Sequence, residues 1–250
     1  MEYIQYIEES QTWKCPKTGK WKITCVGGGA SGTACCNFRI RYYNSSSSSG
    51  SSDVDVNNCI LNAAGGASSF GKHISAGGGE SISTEILVAK GRYLGQPGYL
   101  GYSDYVFMYD NNNNIIMPFH VHGYGAGGSS YNRFINSYNI CSVTYGSYSG
   151  TLYTYSGGMT PYGGICGEVK ICLCDVNEND NIPITVGKGG HISDLDNMIK
   201  QTVMSSNKNV SNFNFTPYVT NGQYTNFKTA LFNSVSDGND GVVILQYMGG

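Results

Sequence analysis

The sequence predicts an all-β fold with little helix, and three observations carry that expectation. Short segments alternate apolar and polar residues with period two, as half-buried strands do. Glycine doublets and triplets sit at the ends of those segments. Almost no window sustains the i, i+3, i+4 pattern of an amphipathic helix.

Along the chain, the first clear strand is 21–26, where Trp21, Ile23 and Cys25 alternate with Lys22 and Thr24. Segment 85–90, Glu-Ile-Leu-Val-Ala-Lys, is similar. Segments 105–109 and 115–122, joined by Asp110 and four Asn, read as a hairpin. Segment 168–174 places Val169, Ile171 and Leu173 on one face, and 182–186 and 241–247 complete the strand set. The one helix expected is 193–203, with Ser193 as its cap and Leu195, Met198 and Ile199 on one side.

Between the strands stand Gly27, Gly28 and Gly29, then Gly65 and Gly66, then Gly77, Gly78 and Gly79, and later Gly189 and Gly190. A flexible linker fits only the serine run 44–52. The glycine clusters abut strand ends and aromatic residues, so packed extended segments cross-bonded through their backbones are the physical reading.

Gly66-x4-Gly71-Lys72 is one residue short of a phosphate-binding loop. His73 replaces the magnesium-holding hydroxyl, and the following Ile-Ser-Ala-Gly-Gly-Gly cannot start a stable helix. Gly123-x-Gly125-x-x-Gly128 matches a dinucleotide fingerprint by letters but lacks the βαβ context. No nucleophile elbow or catalytic triad is evident, and the acids lie in turn-like runs, so the chain is read as a non-enzyme without a required cofactor.

His120 and His122 share a face if 115–122 is a strand. They offer two nitrogens to a metal, with a full coordination shell only across an oligomer axis. The alternative is two half-exposed histidines near a strand end. Of 20 tyrosines, 13 fall between Tyr93 and Tyr162. Loops rich in Tyr, Ser, Gly and Asn suit recognition surfaces, and Tyr99, Tyr102, Tyr148, Tyr153 and Tyr155 are the receptor-facing candidates. Tyrosine filling sheet faces in a low-charge protein is the competing reading.

Only 13% of residues are charged and the net charge is −2, which gives no footprint for nucleic acid or an anionic membrane. No segment approaches a membrane span, and the acidic start "MEYIQYIEESQ" is unlike a secretory leader. The nine cysteines contain no Cys-x-x-Cys pair and read as reduced, mostly buried thiols.

The ordered set "WKCPKTGKWKITCVGGGASG" (13–32), "GGASSFG" (65–71), "ISAGGG" (74–79), "YGGICGEV" (162–169), "IPITVGKGG" (182–190) and "SDGNDGVVILQY" (236–247) resembles the glycine-rich domain of bacteriophage tail-fibre and adhesin proteins. The resemblance spans most of the chain. It departs from the shorter forms at the Tyr-rich insertion, about 92–160, and at the excursion of about 191–235.

The resemblance implies a β-sandwich or jelly-roll-like domain with polyglycine-type loops, commonly a homotrimer exposed on a virion. In that reading residues 1–12 dock to other virion proteins, and 13–250 form a single glycine-rich β domain assembled in the host cytoplasm. The loops bind a host cell-surface glycan or protein, at a tail fibre, baseplate or capsid. A purely structural or decoration role is the alternative.

Overall fold

The computed structural model describes residues 3–43, 51–81, 105–109, 115–120, 123–129, 139–145, 148–154, 163–206, 214–217 and 223–250. Among the described residues the fold is mostly antiparallel β-sheet with two short helices.

Two four-stranded sheets form a sandwich. One orders β1 (Ile4–Ile7), β15 (Val242–Gly249), β3 (Gly19–Val26) and β12 (Val169–Val176); the other orders β2 (Gln11–Lys14), β13 (Asn181–Thr185), β6 (Ser68–Phe70) and β7 (Ile74–Ala76). The expected strands at 21–26, 168–174, 182–186 and 241–247 are all present. Their alternation sends Trp21, Ile23, Cys25, Val243 and Leu245 inward against Trp13, Phe70, Ile182 and Ile184. Trp13 and Trp21 meet edge to face at 5.1 Å, and Phe70 and Tyr247 extend the aromatic cluster, an arrangement that adds to simple area burial.

Residues 4–7, expected in a separate docking segment, pair along their whole length with β15, and Ile7 is buried. Gly71 has φ +50° in the turn between β6 and β7, where the His73 amide donates to Phe70 O. The strand β7 follows, so Lys72 sits on a hairpin turn with no helix behind it.

Beyond the sandwich, residues 27–32 run through the middle of a glycine lattice. The amides of Gly27, Gly28 and Gly29 donate to Glu168, Gly66 and Asn239, and those of Ala30, Ser31 and Gly32 to Ile165, Ala63 and Ser236. Each partner segment recurs after three residues, the period of an extended polyproline-type helix with no internal hydrogen bonds. The carbonyls of Gly28, Gly29 and Ala30 accept from Gly79, Gly190 and Gly128. Six segments therefore surround the central one.

The six also bond to one another. Gly65 donates to Gly79, Glu168 to Gly77, Gly167 to Gly125, Asn239 to Ala126, Gly238 to Gly190 and Gly66 to Lys188, which closes the ring. Side-chain oxygens satisfy amides along the edges: Glu168 accepts from Gly77, Ser68 from Gly187 and Asp240 from Gly189. A Cβ on Gly29 would lie 2.0 Å from Ala126 O, so the spacing of the lattice itself excludes a side chain there.

At the far end of the lattice a five-stranded sheet orders β14 (Asn214–Pro217), β10 (Asn139–Tyr145), β11 (Tyr148–Thr154), β4 (Ala34–Tyr43) and β5 (Ser51–Leu61). Helices α1 (Leu195–Ser206) and α2 (Gln223–Phe232) pack on one face. Phe38, Ile40, Leu61 and Leu152 meet Leu195, Ile199, Phe227 and Leu231 in that core. The excursion 191–235 thus supplies both helices and the edge strand β14. The cap of α1 is Asp194, one residue beyond the expected Ser193: its carboxylate accepts from the Asn197 amide, and its carbonyl accepts the first helical bond from Met198. The tyrosine Tyr224 donates to Asp196 and joins the two helices.

The expected hairpin is present as β8 (Tyr105–Tyr109) and β9 (Ile115–His120), while its turn, strand 85–90 and residues 44–50 of the serine run lie outside the described residues. Five described cysteines are free thiols, with Cys15, Cys25 and Cys166 buried. Burial pushes Cys25 up to about 12 and Cys174 to about 11, which favours the protonated thiol at both near neutral pH.

Two outcomes are expected. Gly29→Ala costs more than about 4 kcal/mol or prevents folding, whereas Gly77→Ala, whose Cβ would meet only Glu168 Oε2 at 3.4 Å, changes stability by under about 1 kcal/mol; denaturant unfolding of both variants checks this. Burial alone would raise the pKa of Asp240, but Lys188 and the Gly189 amide outweigh it and hold the carboxyl below its usual 3.8. A depressed folded pKa gives stability that is present above the unfolded value and is lost as pH falls through the folded one. Asp240→Asn therefore removes part of the loss of thermal stability seen on acidification from pH 5 to pH 2, and equal losses in both proteins would contradict it.

Candidate functional site

The five-stranded sheet carries two of the receptor-facing candidates, Tyr148 and Tyr153, on β11. Successive strand residues face opposite sides. Leu152 is fully buried under the helices, so Tyr148, an even number of residues away, holds a position on the helix side. Tyr153 holds one on the opposite side. Register places Tyr153 against Arg39 and Arg39 against Asp55; in the next row Thr151 stands against Arg41 and Arg41 against Asp53. Ser142 and Thr216 extend the Thr151 row, Asn139 the Tyr153 row. The third row is Asn214, Thr144, Ser149, Tyr43 and Ser51.

No aliphatic residue holds any of these fourteen positions. The other face carries Phe38, Ile40, Leu152 and Val143 at the alternate positions. The split is what an antiparallel sheet with one covered face should show. The fourteen positions hold Arg, Asp, Tyr, Asn, Ser and Thr, and no Lys or Glu. Arg39, Arg41, Ser142 and Thr151 are half-exposed.

At strand spacings of about 4.8 Å and row spacings of about 6.8 Å, five strands by three rows span roughly 20 by 14 Å, or about 300 Å². Sequence reading missed this face because β4, β5 and β14 lack a strong apolar period, and the partners of Tyr153 come from distant segments. The signal available was Arg39-Ile-Arg41 against Asp53-Val-Asp55, two alternating triplets of opposite charge on either side of the serine run.

A second surface lies on the outer face of the sandwich. Register aligns Ile4, Gln246, Lys22 and Leu173 in one row and Tyr6, Ile244, Thr24 and Ile171 in the next. Ile4, Tyr6, Leu173 and Met248 are each about half exposed. Near the lattice the same face is covered by Tyr124, which packs on Val26 and Val242 and donates to Glu8. The hydrogen bond to Glu8, helped by burial, pushes Tyr124 up to about 12. The exposed apolar residues of this face, Ile4 and Tyr6 on β1 and Leu173 on β12, stand on its two edge strands, with Gln246, Lys22 and Thr24 on the strands between them.

The remaining candidates are not brought together. Tyr99, Tyr102, Tyr155 and His122 lie outside the described residues, and His120 holds the last position of β9, opposite Tyr105. Among the described residues no group of three or more His, Cys, Asp or Glu is arranged to hold a metal ion, and no helix is long and apolar enough to cross a membrane. The glycines named from sequence, apart from the turn residue Gly71, all stand in the lattice.

Comparison with protein-family models, with curated proteins and with solved structures finds no match to the chain.

The assignment of sides has a direct check. Leu152→Ala, on the covered face, costs about 3 kcal/mol, whereas Leu173→Ala, at 61% exposure, changes stability by no more than about 0.5 kcal/mol; paired denaturation curves separate the two.

Proposed function

We propose that the chain is a host-recognition component of a bacteriophage virion, of the tail-fibre, baseplate or adhesin type, which works by binding and performs no chemistry. What supports the reading is one observation: a cross-bonded glycine lattice joins a β-sandwich to a second, five-stranded sheet. The outer face of the sandwich, with exposed Ile4 and Tyr6 on the N-terminal strand β1 and Leu173 on β12, suits attachment to another particle protein or to further copies in a trimer. The polar face of the five-stranded sheet suits display toward a cell surface. The resemblance of the ordered glycine segments to phage adhesin domains points the same way.

A second reading, a structural or decoration protein that contacts only neighbouring subunits, is favoured by the same half-exposed Ile4, Tyr6, Leu173 and Met248. Labelled protein incubated with a panel of Gram-negative and Gram-positive cells separates the two. Saturable binding to some cells and not others is expected. Absence of binding to every cell type, at concentrations where the protein is fully assembled, would overturn the recognition reading in favour of the structural one.

A further inference from the structure

We propose that Cys172 and Cys174 are a peroxide-sensitive dithiol, which closes to a reversible disulfide within strand β12.

Strand alternation puts the two residues on one side of β12, with the exposed Leu173 between them on the other. Both pack against the sandwich core, and register sets them across from Ile23 and Trp21. Their thiols lie within hydrogen-bonding reach of each other. Both are half-buried, on a strand that ends its sheet among the described residues. The neighbouring thiols, Cys25 beside Cys172 and Cys15 beside Cys174, are buried. A small oxidant therefore meets the paired thiols before it meets either neighbour.

The contact also assigns the roles. Burial raises the Cys172 pKa, and the hydrogen bond donated by Cys174 works against that rise. Burial and the charge of Cys172 lead the causes that push Cys174 up to about 11. Cys172 is thus the sulfur that ionises first, while Cys174 keeps its proton. The Cys172 thiolate attacks one oxygen of hydrogen peroxide: the S–O bond forms, the O–O bond breaks, and the departing hydroxide takes a proton and leaves as water. Cys174 then attacks the Cys172 sulfenic acid. The S–S bond forms, the S–O bond breaks, and the Cys174 proton leaves with the hydroxyl as a second water. The two sulfurs lose one electron each, and the peroxide gains both.

Geometry makes the bond a switch and not a permanent staple. Two residues of strand separate the Cα atoms by about 6.7 Å, at the long end of the roughly 4.4–6.8 Å that disulfides span. Closure shortens β12 against its ladder with Ile23 and Trp21 and leaves a bond that thiols reduce readily.

The test treats the full chain with hydrogen peroxide, alkylates the remaining thiols after denaturation, and maps the tryptic peptide Ile171–Lys188, which contains these two cysteines and no others. The peptide is expected without alkyl groups and two hydrogens lighter, and dithiothreitol should restore both alkylation sites. Cys174→Ser should accumulate a dimedone-reactive sulfenic acid at Cys172, whereas Cys172→Ser at the same peroxide dose should leave Cys174 unlabelled. Thermal unfolding of each variant accompanies the labelling, and the peptide map of the parent decides the matter where a variant fails to fold. A peptide that still carries both alkyl groups after peroxide, a disulfide from either residue to Cys15, Cys25 or a second chain, or sulfenic acid forming as readily at Cys174 as at Cys172 would each overturn the proposal.

Discussion

The amides and carbonyls of residues 27–32 close on no helix and no sheet ladder; they are satisfied by six other stretches of the chain, in a rotation that repeats every three residues. The rest of the molecule depends on that exchange. Because the partners lie at 63–66, 77–79, 125–128, 164–168, 187–190 and 236–241, the lattice can form only when nearly the whole chain has been gathered. Its connections also dictate the two ends. Residues 19–26 and 242–249 enter the sandwich from it, and 34–43 leaves it for the five-stranded sheet.

Magnitudes show why a lattice of this kind needs both ends. A glycine in extended structure loses up to about 1 kcal/mol more conformational freedom than alanine, and a backbone hydrogen bond contributes about 1 kcal/mol net. These nearly cancel, so the lattice contributes geometry more than stability. The favourable surplus comes from the two cores that clamp it: Trp13, Trp21 and Phe70 at one end, and Phe38, Phe227 and Leu152 at the other. Within the lattice most glycines leave no room for a Cβ, which at Gly28, Gly29, Gly65 and Gly79 would fall within about 2.3 Å of a neighbouring backbone oxygen. The result is a rigid spacer between two hydrophobic cores.

Legibility in the sequence followed burial. Strands β3, β12, β13 and β15 were readable because each presents an alternating apolar face to the sandwich, and the glycine clusters because their number and placement at strand ends left close backbone packing as their physical use. The stretch Gly66-x4-Gly71-Lys72 shows the limit: Gly66 belongs to the lattice and Gly71 to a hairpin turn, two different needs that look alike in letters. β4 and β5 were hidden because their open face is polar and a serine run separates them. The helix α2 was hidden because Tyr224, Phe227 and Leu231 are its only buried residues, in a segment of Gln, Thr and Asn. Tyrosine density pointed to recognition in general, and only the register separated Tyr148 from Tyr153.

The low charge of the chain and its two-ended architecture belong to one solution. With 13% charged residues, the chain has little long-range electrostatic field, and its structure is organised by short-range backbone hydrogen bonding. The lattice backbones approach closely because most of the positions that face one another are glycine. Two of the chain's ion pairs, Lys188 with Asp240 and Lys170 with Glu168, include the carboxylates that accept the lattice-edge amides of Gly189 and Gly77.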